Sequence, residues 1–391
     1  MSVTVRALST EEHLSFIRSR SEVSFLQTPA WARVKTEWRS ESLGLVDGSG
    51  ELIGATLVLH RPVPRLKRFT LAYLPEGPAL DWSRPLDEWL TPLTTHLKKH
   101  GAFGVRMGPP VATSTWDADQ VKQGIADDAV HRLGQIAPTH RNPVGARVVS
   151  QLRAAGWRLQ SPEDGFGAGQ PQYTFEIPLV DADGTPRSED DVLKGMNQLW
   201  RRNIKKADKE GVEVTSTTPA GAATPEEFDA HLQAFHALYL HTAERDHFTP
   251  RPLSYFRTMF AAMSAEETDR ITLFLAHHEG DLVAATILVR VGTHAWYSYG
   301  ASSTAKREVR GSNALQWAMI RAALAAGCHV YDLRGITPTL ETSDSHVGLI
   351  QFKVGTGGHA VEYVGEWDLP LRPAIYKAFD LYMTRRSGGA K

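Results

Sequence analysis

A glycine-centred pattern occurs twice in this chain, and the duplication limits the folds open to it. Gly50-Glu51-Leu52-Ile53-Gly54-Ala55-Thr56-Leu57-Val58-Leu59 returns as Gly280-Asp281-Leu282-Val283-Ala284-Ala285-Thr286-Ile287-Leu288-Val289. In each copy a turn leads into an apolar run of strand character. The echo continues downstream. Aromatic strand candidates at 71–74 and 296–299 are each followed by a helix, near 86–99 and 312–326. Gly101 and Gly327 then open short strands at 103–107 and 329–333. Strands alternating with helices predict an α/β (α+β) fold made of two similar units, with a ligand cleft between the copies.

The bulk numbers narrow the function classes. A length of 391 residues suits two domains. Hydrophobic content of 42% and charged content of 22% are those of a globular chain. The formal net charge of −1 excludes a globally basic nucleic-acid binder but leaves room for a local basic patch. The single Cys328 excludes an internal disulfide and a cysteine-based metal site, and is expected as a small buried residue ahead of a strand. Met1-Ser2-Val3-Thr4-Val5-Arg6 lacks a basic segment with an apolar run, and no stretch of about 18 apolar residues follows. A reduced, cytosolic setting is the expectation.

Along the chain, 42–46 and 51–59 read as strands around the turn Asp47-Gly48-Ser49-Gly50. Pro62 and Pro64 with Arg61, Arg65, Lys67 and Arg68 read as a loop, either solvated or a phosphate-binding edge. Residues 108–145, punctuated by Pro109-Pro110, Pro138 and Asn142-Pro143, read as an irregular insertion, and 164–172 as a flexible glycine-rich stretch. The capping box Ser188-Glu189-Asp190-Asp191 predicts one helix running to Lys209 or Glu210 and stopped by Gly211. Leu193, Met196, Trp200, Ile204 and Ala207 share one side of that helix, and Arg201, Arg202, Lys205, Lys206 and Lys209 the other. This basic stripe suits contact with successive phosphates, or is a solvated face. A further helix spans about 225–245, 361–367 reads as a strand, and a last helix covers about 373–385.

Familiar catalytic motifs are missing. There is no nucleophile elbow, no His-Glu-x-x-His and no paired carboxylate at metal spacing. Gly355-Thr356-Gly357-Gly358 lacks the Lys-Ser/Thr ending of a phosphate-binding loop and reads as a turn between strands. Lys353, in Gln351-Phe352-Lys353-Val354, reads as a strand lysine. It is either partly desolvated and able to stabilise an oxyanion, or a water-facing edge residue.

These residues together resemble the FemABX family of peptidoglycan-bridge aminoacyltransferases. The matching segments are Phe25-Leu26-Gln27 with Trp31 and Lys35; Arg202-Asn203-Ile204-Lys205-Lys206-Ala207 before Gly211; Tyr299-Gly300-Ala301-Ser302; Tyr331-Asp332-Leu333-Arg334-Gly335; and Gly348-Leu349-Ile350-Gln351-Phe352-Lys353. The resemblance covers nearly the whole chain. It implies two tandem acetyltransferase-like (GNAT-like) domains sharing a cleft, one from 1–183 completed by 366–391, the other from 184–365. It also implies no coiled-coil arm, because 186–300 lacks charged heptads.

The resemblance further implies transfer of an amino acid from aminoacyl-tRNA, as co-substrate and without another cofactor or a metal, to UDP-MurNAc-pentapeptide or lipid II. Carried over by position, Lys35, Arg251, Tyr255 and Tyr299 hold the acceptor. Lys353 and Phe352 form the reaction centre, and the stripe of Arg201, Arg202, Lys205, Lys206 and Lys209 contacts tRNA. Gly108-Pro109 stands where some relatives carry an aspartate, so no general base is expected there. A cytoplasmic monomer is expected, with contact at the inner face of the plasma membrane left open. An acyl-CoA-dependent N-acetyltransferase, a tRNA-dependent enzyme acting on a natural product, and a non-catalytic RNA-binding module are the alternatives.

Overall fold

The computed structural model describes residues 3–63, 66–160, 169–344 and 346–388. The chain divides into two compact units. Unit 1 comprises Met1–Ser114, Arg141–Gln172 and Glu362–Lys391; unit 2 comprises Thr115–His140 and Tyr173–Val361. The first long passage through unit 1 therefore ends at Gln172 rather than at 183, and 115–140 belongs with unit 2.

In unit 1 the strands Arg39–Val46, Leu52–Val63 and Leu66–Leu74 form an antiparallel meander. The first turn closes because the Asp47 carboxylate accepts the backbone N–H groups of Ser49 (2.9 Å) and Glu51 (3.1 Å), while Gly50 takes φ 89°. The helix Leu90–Lys99 then crosses over to Ala102–Met107, which lies parallel to Leu66–Leu74. Trp367–Pro370, from the far end of the chain, pairs antiparallel with Ala102–Met107. Trp89, Leu93, Leu97, Val105 and Trp367 are buried in the main core of this unit. Phe103 and Leu71 meet Phe379 of the final helix, Pro373–Gly388, in a smaller one.

Unit 2 repeats the plan. Ile271–His278, Asp281–Val291 and His294–Ser302 form the meander. The helix Gly311–Ala325 crosses to Val330–Ile336, parallel to His294–Ser302, and Tyr173–Pro178 pairs antiparallel beyond it. The duplication seen in the sequence is thus structural. Each copy takes its last strand from outside the repeated segment.

Several local expectations are corrected. Residues 108–145 are not an irregular insertion: they contain the strand Ala112–Asp117 and the helix Ala118–Ala126, and Trp116, Val121 and Leu133 are buried in the core of unit 2. Arg61, Lys67 and Arg68 lie in the strands Leu52–Val63 and Leu66–Leu74 rather than in a loop; Pro64 and Arg65 fall outside the described residues, as does most of the glycine-rich stretch at 164–172. The single helix expected from Ser188 is two, Glu189–Gly195 and Gln198–Lys209. Met196 is extended, and Asn197 caps the second helix by accepting the N–H of Trp200 (2.9 Å). The backbone of Asn197 is also held by the carbonyl of Gly355 (2.9 Å). Residues 361–367 are not one strand but the end of His359–Tyr363 and the start of Trp367–Pro370.

Candidate active site

Lys353 lies in a helix, Val347–Val354, not in a strand. The apolar run reads as either, but Ile350 and Val354, four residues apart, face the core together. Phe352 is half-buried, its ring 4.7 Å from that of Trp200, and Trp200 Nε1 donates to the Phe352 carbonyl (2.8 Å). The following glycines serve close packing and join the helix to a strand. A Cβ on Gly355 would lie 2.2 Å from Trp200 Cδ1, and one on Gly357 1.9 Å from the carbonyl of Gly195.

The Lys353 side chain is 3% exposed. Its Nζ donates to the carbonyls of Gly335 (2.6 Å) and Arg334 (3.2 Å). Those carbonyls are aimed by a turn: Arg334 has φ 63°, and its N–H donates to Asp332 Oδ1 (2.5 Å). Asp332 Oδ2 lies 3.7 Å from His294 Nε2 and 3.8 Å from Arg334 Nη1, ion-pair rather than hydrogen-bond distances. His294 stacks on Trp296 at 4.1 Å. Burial pushes the Asp332 carboxyl up, but His294 and Arg334 outweigh it and hold it below its ordinary value. Burial pushes the Lys353 ammonium down to about 7; Asp332 opposes that shift and Arg334 adds to it.

Three further expected residues of unit 2 converge. Between Ala285 and Ile287 the register slips, so that Thr286 faces an extra residue, and Tyr299 takes φ 52° at this bulge. Its hydroxyl is 3.0 Å from that of Tyr255, on the helix Leu253–Ser264. Arg251, two residues before that helix, sets its guanidinium 5.2 Å from the Tyr255 ring centre. Burial raises the Tyr299 phenol, while Tyr255, Arg251 and Arg334 lower it. Arg334 thus acts on both Tyr299 and Lys353. A cation, two phenols and a buried ammonium can hold an anionic ligand and stabilise negative charge beside it.

Lys35 belongs to unit 1, where its Nζ sits 5.0 Å from the Trp31 ring. Gln27 of the nearby Phe-Leu-Gln segment is buried and structural: it donates to the Pro75 carbonyl (2.7 Å) and accepts from Thr56 Oγ1 and Leu57 N (3.0 Å each). Gly108 carries no carboxylate, yet one lies beside it. A Cβ there would be 3.3 Å from Glu366 Cγ. Glu366 Oε1 accepts the Tyr73 hydroxyl proton (2.6 Å), and burial raises its carboxyl to about 7. The basic stripe is on the helix Gln198–Lys209. Arg202, Lys205 and Lys209 are exposed, and Arg201 and Lys206 are half-buried.

Sequence reasoning missed the roles of Asp332, His294, Tyr73 and Glu366. Asp332 and Arg334 stand in a quoted motif, so a signal existed. Tyr73 and Glu366 are paired only by the fold. Among the described residues no group of three or more His, Cys, Asp or Glu is placed to hold a metal ion.

The model of the FemAB family matches residues 8–279 and 263–383. The chain is 28% identical to the UDP-N-acetylmuramoylpentapeptide-lysine N(6)-alanyltransferase of Weissella viridescens, covering 94% of this chain and 95% of the relative. It is 23% identical to the lipid II:glycine glycyltransferase of Staphylococcus haemolyticus, with 95% and 94% covered. The crystal structure of FemX superposes with a TM-score of 0.75 at 21% identity, covering 96% of this chain and 99% of that one.

Proposed function

This chain belongs to the FemAB family, and from that membership we propose that it is an aminoacyltransferase that builds the interpeptide bridge of peptidoglycan. The donor is an aminoacyl-tRNA, and the acceptor is the side-chain amine of a stem peptide on UDP-MurNAc-pentapeptide or lipid II. The named activities of the Weissella and Staphylococcus relatives, matched over nearly their full lengths, support this reading.

The observation that carries the chemistry is the buried Lys353 ammonium hung on two carbonyls. The acceptor amine attacks the ester carbonyl carbon; a C–N bond forms, the ester C–O bond breaks, and the amine proton passes to the departing tRNA hydroxyl, directly or through water. The ester is already activated, so no covalent enzyme intermediate is needed. Two of the three N–H groups of Lys353 are engaged, and the third serves the oxyanion of the tetrahedral intermediate. Phe352 and its Trp200 neighbour form an apolar flank of that centre. Arg251, Tyr255 and Tyr299 bind the acceptor phosphates.

The stripe from Arg201 to Lys209 receives the tRNA. No helix among the described residues is long and apolar enough to cross a membrane. We place the reaction in the cytoplasm, where charged tRNA is found. The test is mass spectrometry of both acceptors after incubation with individual charged tRNAs. A mass increase of one aminoacyl residue is expected; no increase with any tRNA and acceptor pair would remove the reading.

A further inference from the structure

The long hairpin of unit 1 projects past the strands on both sides of it. The strand Arg39–Val46 begins at the Arg39–His60 pair, so 61–63 extend beyond it. Ala102–Met107 begins opposite Thr70, so 66–69 extend beyond that neighbour too. The projecting tongue carries Arg61, Lys67 and Arg68, with Val63 paired to Leu66 at its outer end. Leu66 is 50% exposed.

Other cations gather at the same end of this sheet. Lys98 and Lys99 close the crossover helix just before Gly101, whose carbonyl accepts the Thr70 N–H (3.1 Å). A Cβ on Gly101 would lie 2.5 Å from the Arg68 carbonyl, which fixes how closely the helix end and the tongue approach. Arg372 Nη2 donates to the Lys98 carbonyl (3.4 Å). The Arg372 and Arg68 guanidinium groups lie 5.4 and 4.8 Å from the Phe69 ring centre. The segments 61–69, 96–102 and 371–377 contain no Asp or Glu. Among the described residues Lys67, Arg68, Lys98 and Lys99 are exposed and in no ion pair.

We propose that this end of unit 1 docks onto an anionic lipid bilayer, the exposed Lys67, Arg68, Lys98 and Lys99 facing the headgroups, the half-buried Arg61 and Arg372 adding positive charge behind them, and Leu66 entering the interface. Charge complementarity selects an anionic partner. The aliphatic outer end favours lipid over nucleic acid, because phosphates gain nothing from an exposed leucine whereas the acyl boundary does. The site of transfer is not involved, so the surface stands or falls separately from the transferase reading.

The experiment is co-sedimentation of the full chain with phosphatidylcholine vesicles, with and without about 30% phosphatidylglycerol, at two salt concentrations. Wild type should pellet only with the anionic vesicles, and less at high salt. Each cation near such a surface contributes about fivefold in affinity, so K67E/R68E should weaken binding by roughly 20-fold or more. Lys99→Glu alone should weaken it several-fold, and Leu66→Ser should weaken it without changing the salt dependence. All three variants should keep wild-type turnover on a soluble, nucleotide-linked acceptor. Equal sedimentation with neutral vesicles, or no effect of the variants, overturns the proposal. So does a surface that binds tRNA and ignores vesicles. Vesicle binding without any transfer would sink the transferase reading and still support the surface.

Discussion

Asp332 and Lys353 are coupled through one residue of backbone. The Asp332 carboxylate accepts the N–H of Arg334, and the carbonyl of Arg334, with that of Gly335, accepts from Lys353 Nζ. The carboxylate therefore acts twice on the ammonium, by shaping the turn that holds it and by its charge.

Replacing Lys353 by Met keeps the volume and removes the positive charge. Turnover should fall by about 100-fold or more, the scale for losing one oxyanion donor, with acceptor affinity within about threefold of wild type. Steady-state kinetics with a fixed charged tRNA measures both. Retained kcat would take Lys353 out of the chemistry.

The pH profile follows from two opposed ionisations. An acceptor side-chain amine titrates near about 10.4 and must be neutral to attack. Lys353 titrates at about 7 and must be charged. On these values kcat/KM should rise about tenfold per pH unit below about 7 and then level off, because each further gain in free amine is cancelled by loss of the lysine proton. Asp332 raises the Lys353 value, so Asp332→Asn, which keeps the accepting oxygen, should move the break to lower pH. An unmoved break would show that its charge does not reach Lys353. Asp332→Ala removes the turn as well, and should also lower the plateau.

Tyr299→Phe and Arg251→Ala should act on binding. The first removes one of two phenols 3.0 Å apart, and the second the cation beside them. Each should raise the acceptor KM by roughly 10-fold, the cost of one charge-assisted or buried hydrogen bond, with kcat nearly kept. Direct titration of the soluble acceptor by calorimetry distinguishes this from an effect on rate.

The stripe should reveal itself through salt. Removing one cation from a phosphate lowers the slope of log affinity against log salt by about 0.7–0.9. R202E/K205E, changing two exposed residues of the helix Gln198–Lys209, should therefore flatten the slope for charged tRNA by about 1.4–1.8 and weaken binding at low salt. An unchanged slope would return this face to bulk solvent.

Glu366 offers a stability test in unit 1. Its folded value is raised from 4.5 to about 7, mainly by burial. Its contribution is therefore fully present below about 4.5 and is lost as pH rises through about 7. Glu366→Gln keeps an acceptor for Tyr73 and cannot ionise. It should stabilise the protein at pH 8 by on the order of 3 kcal/mol and change little at pH 4.5. Urea midpoints at the two pH values measure the difference.

The parts of the fold legible in the sequence were those with short-range signals. Gly50 and Gly280 mark turns that need positive φ, and the strands beside them are continuous apolar runs, so the two meanders and their crossover helices could be read directly. The sheet partners of Trp367–Pro370 and Tyr173–Pro178 could not be read from local pattern, because the partner of a short strand is decided by distant residues. Lys353 was misplaced in a strand because Ile350, Phe352 and Val354 alternate as well as they repeat helically, and only contact with Trp200 decides between the two. The break at Met196 was hidden because Gly195 is tolerated within helices; the backbone of Gly355 and Gly357 makes it necessary. In the candidate site, Arg251, Tyr255 and Tyr299 were singled out together, and the structure brings them into contact. The Asp332 turn needed Arg334 in a left-handed conformation, which no local rule predicts for arginine.

The route of the chain has a consequence for its synthesis. The ribosome delivers Ala102–Met107 long before Trp367–Pro370, the strand that covers its open side. Through that interval the nascent protein carries an unpaired β-edge next to a buried-type sequence, an aggregation hazard that chaperones commonly mask. A gene cut anywhere between Met107 and Trp367 would leave that edge uncovered in one product. A circular permutant with the segment 362–388 placed ahead of residue 3 would instead deliver both strands early.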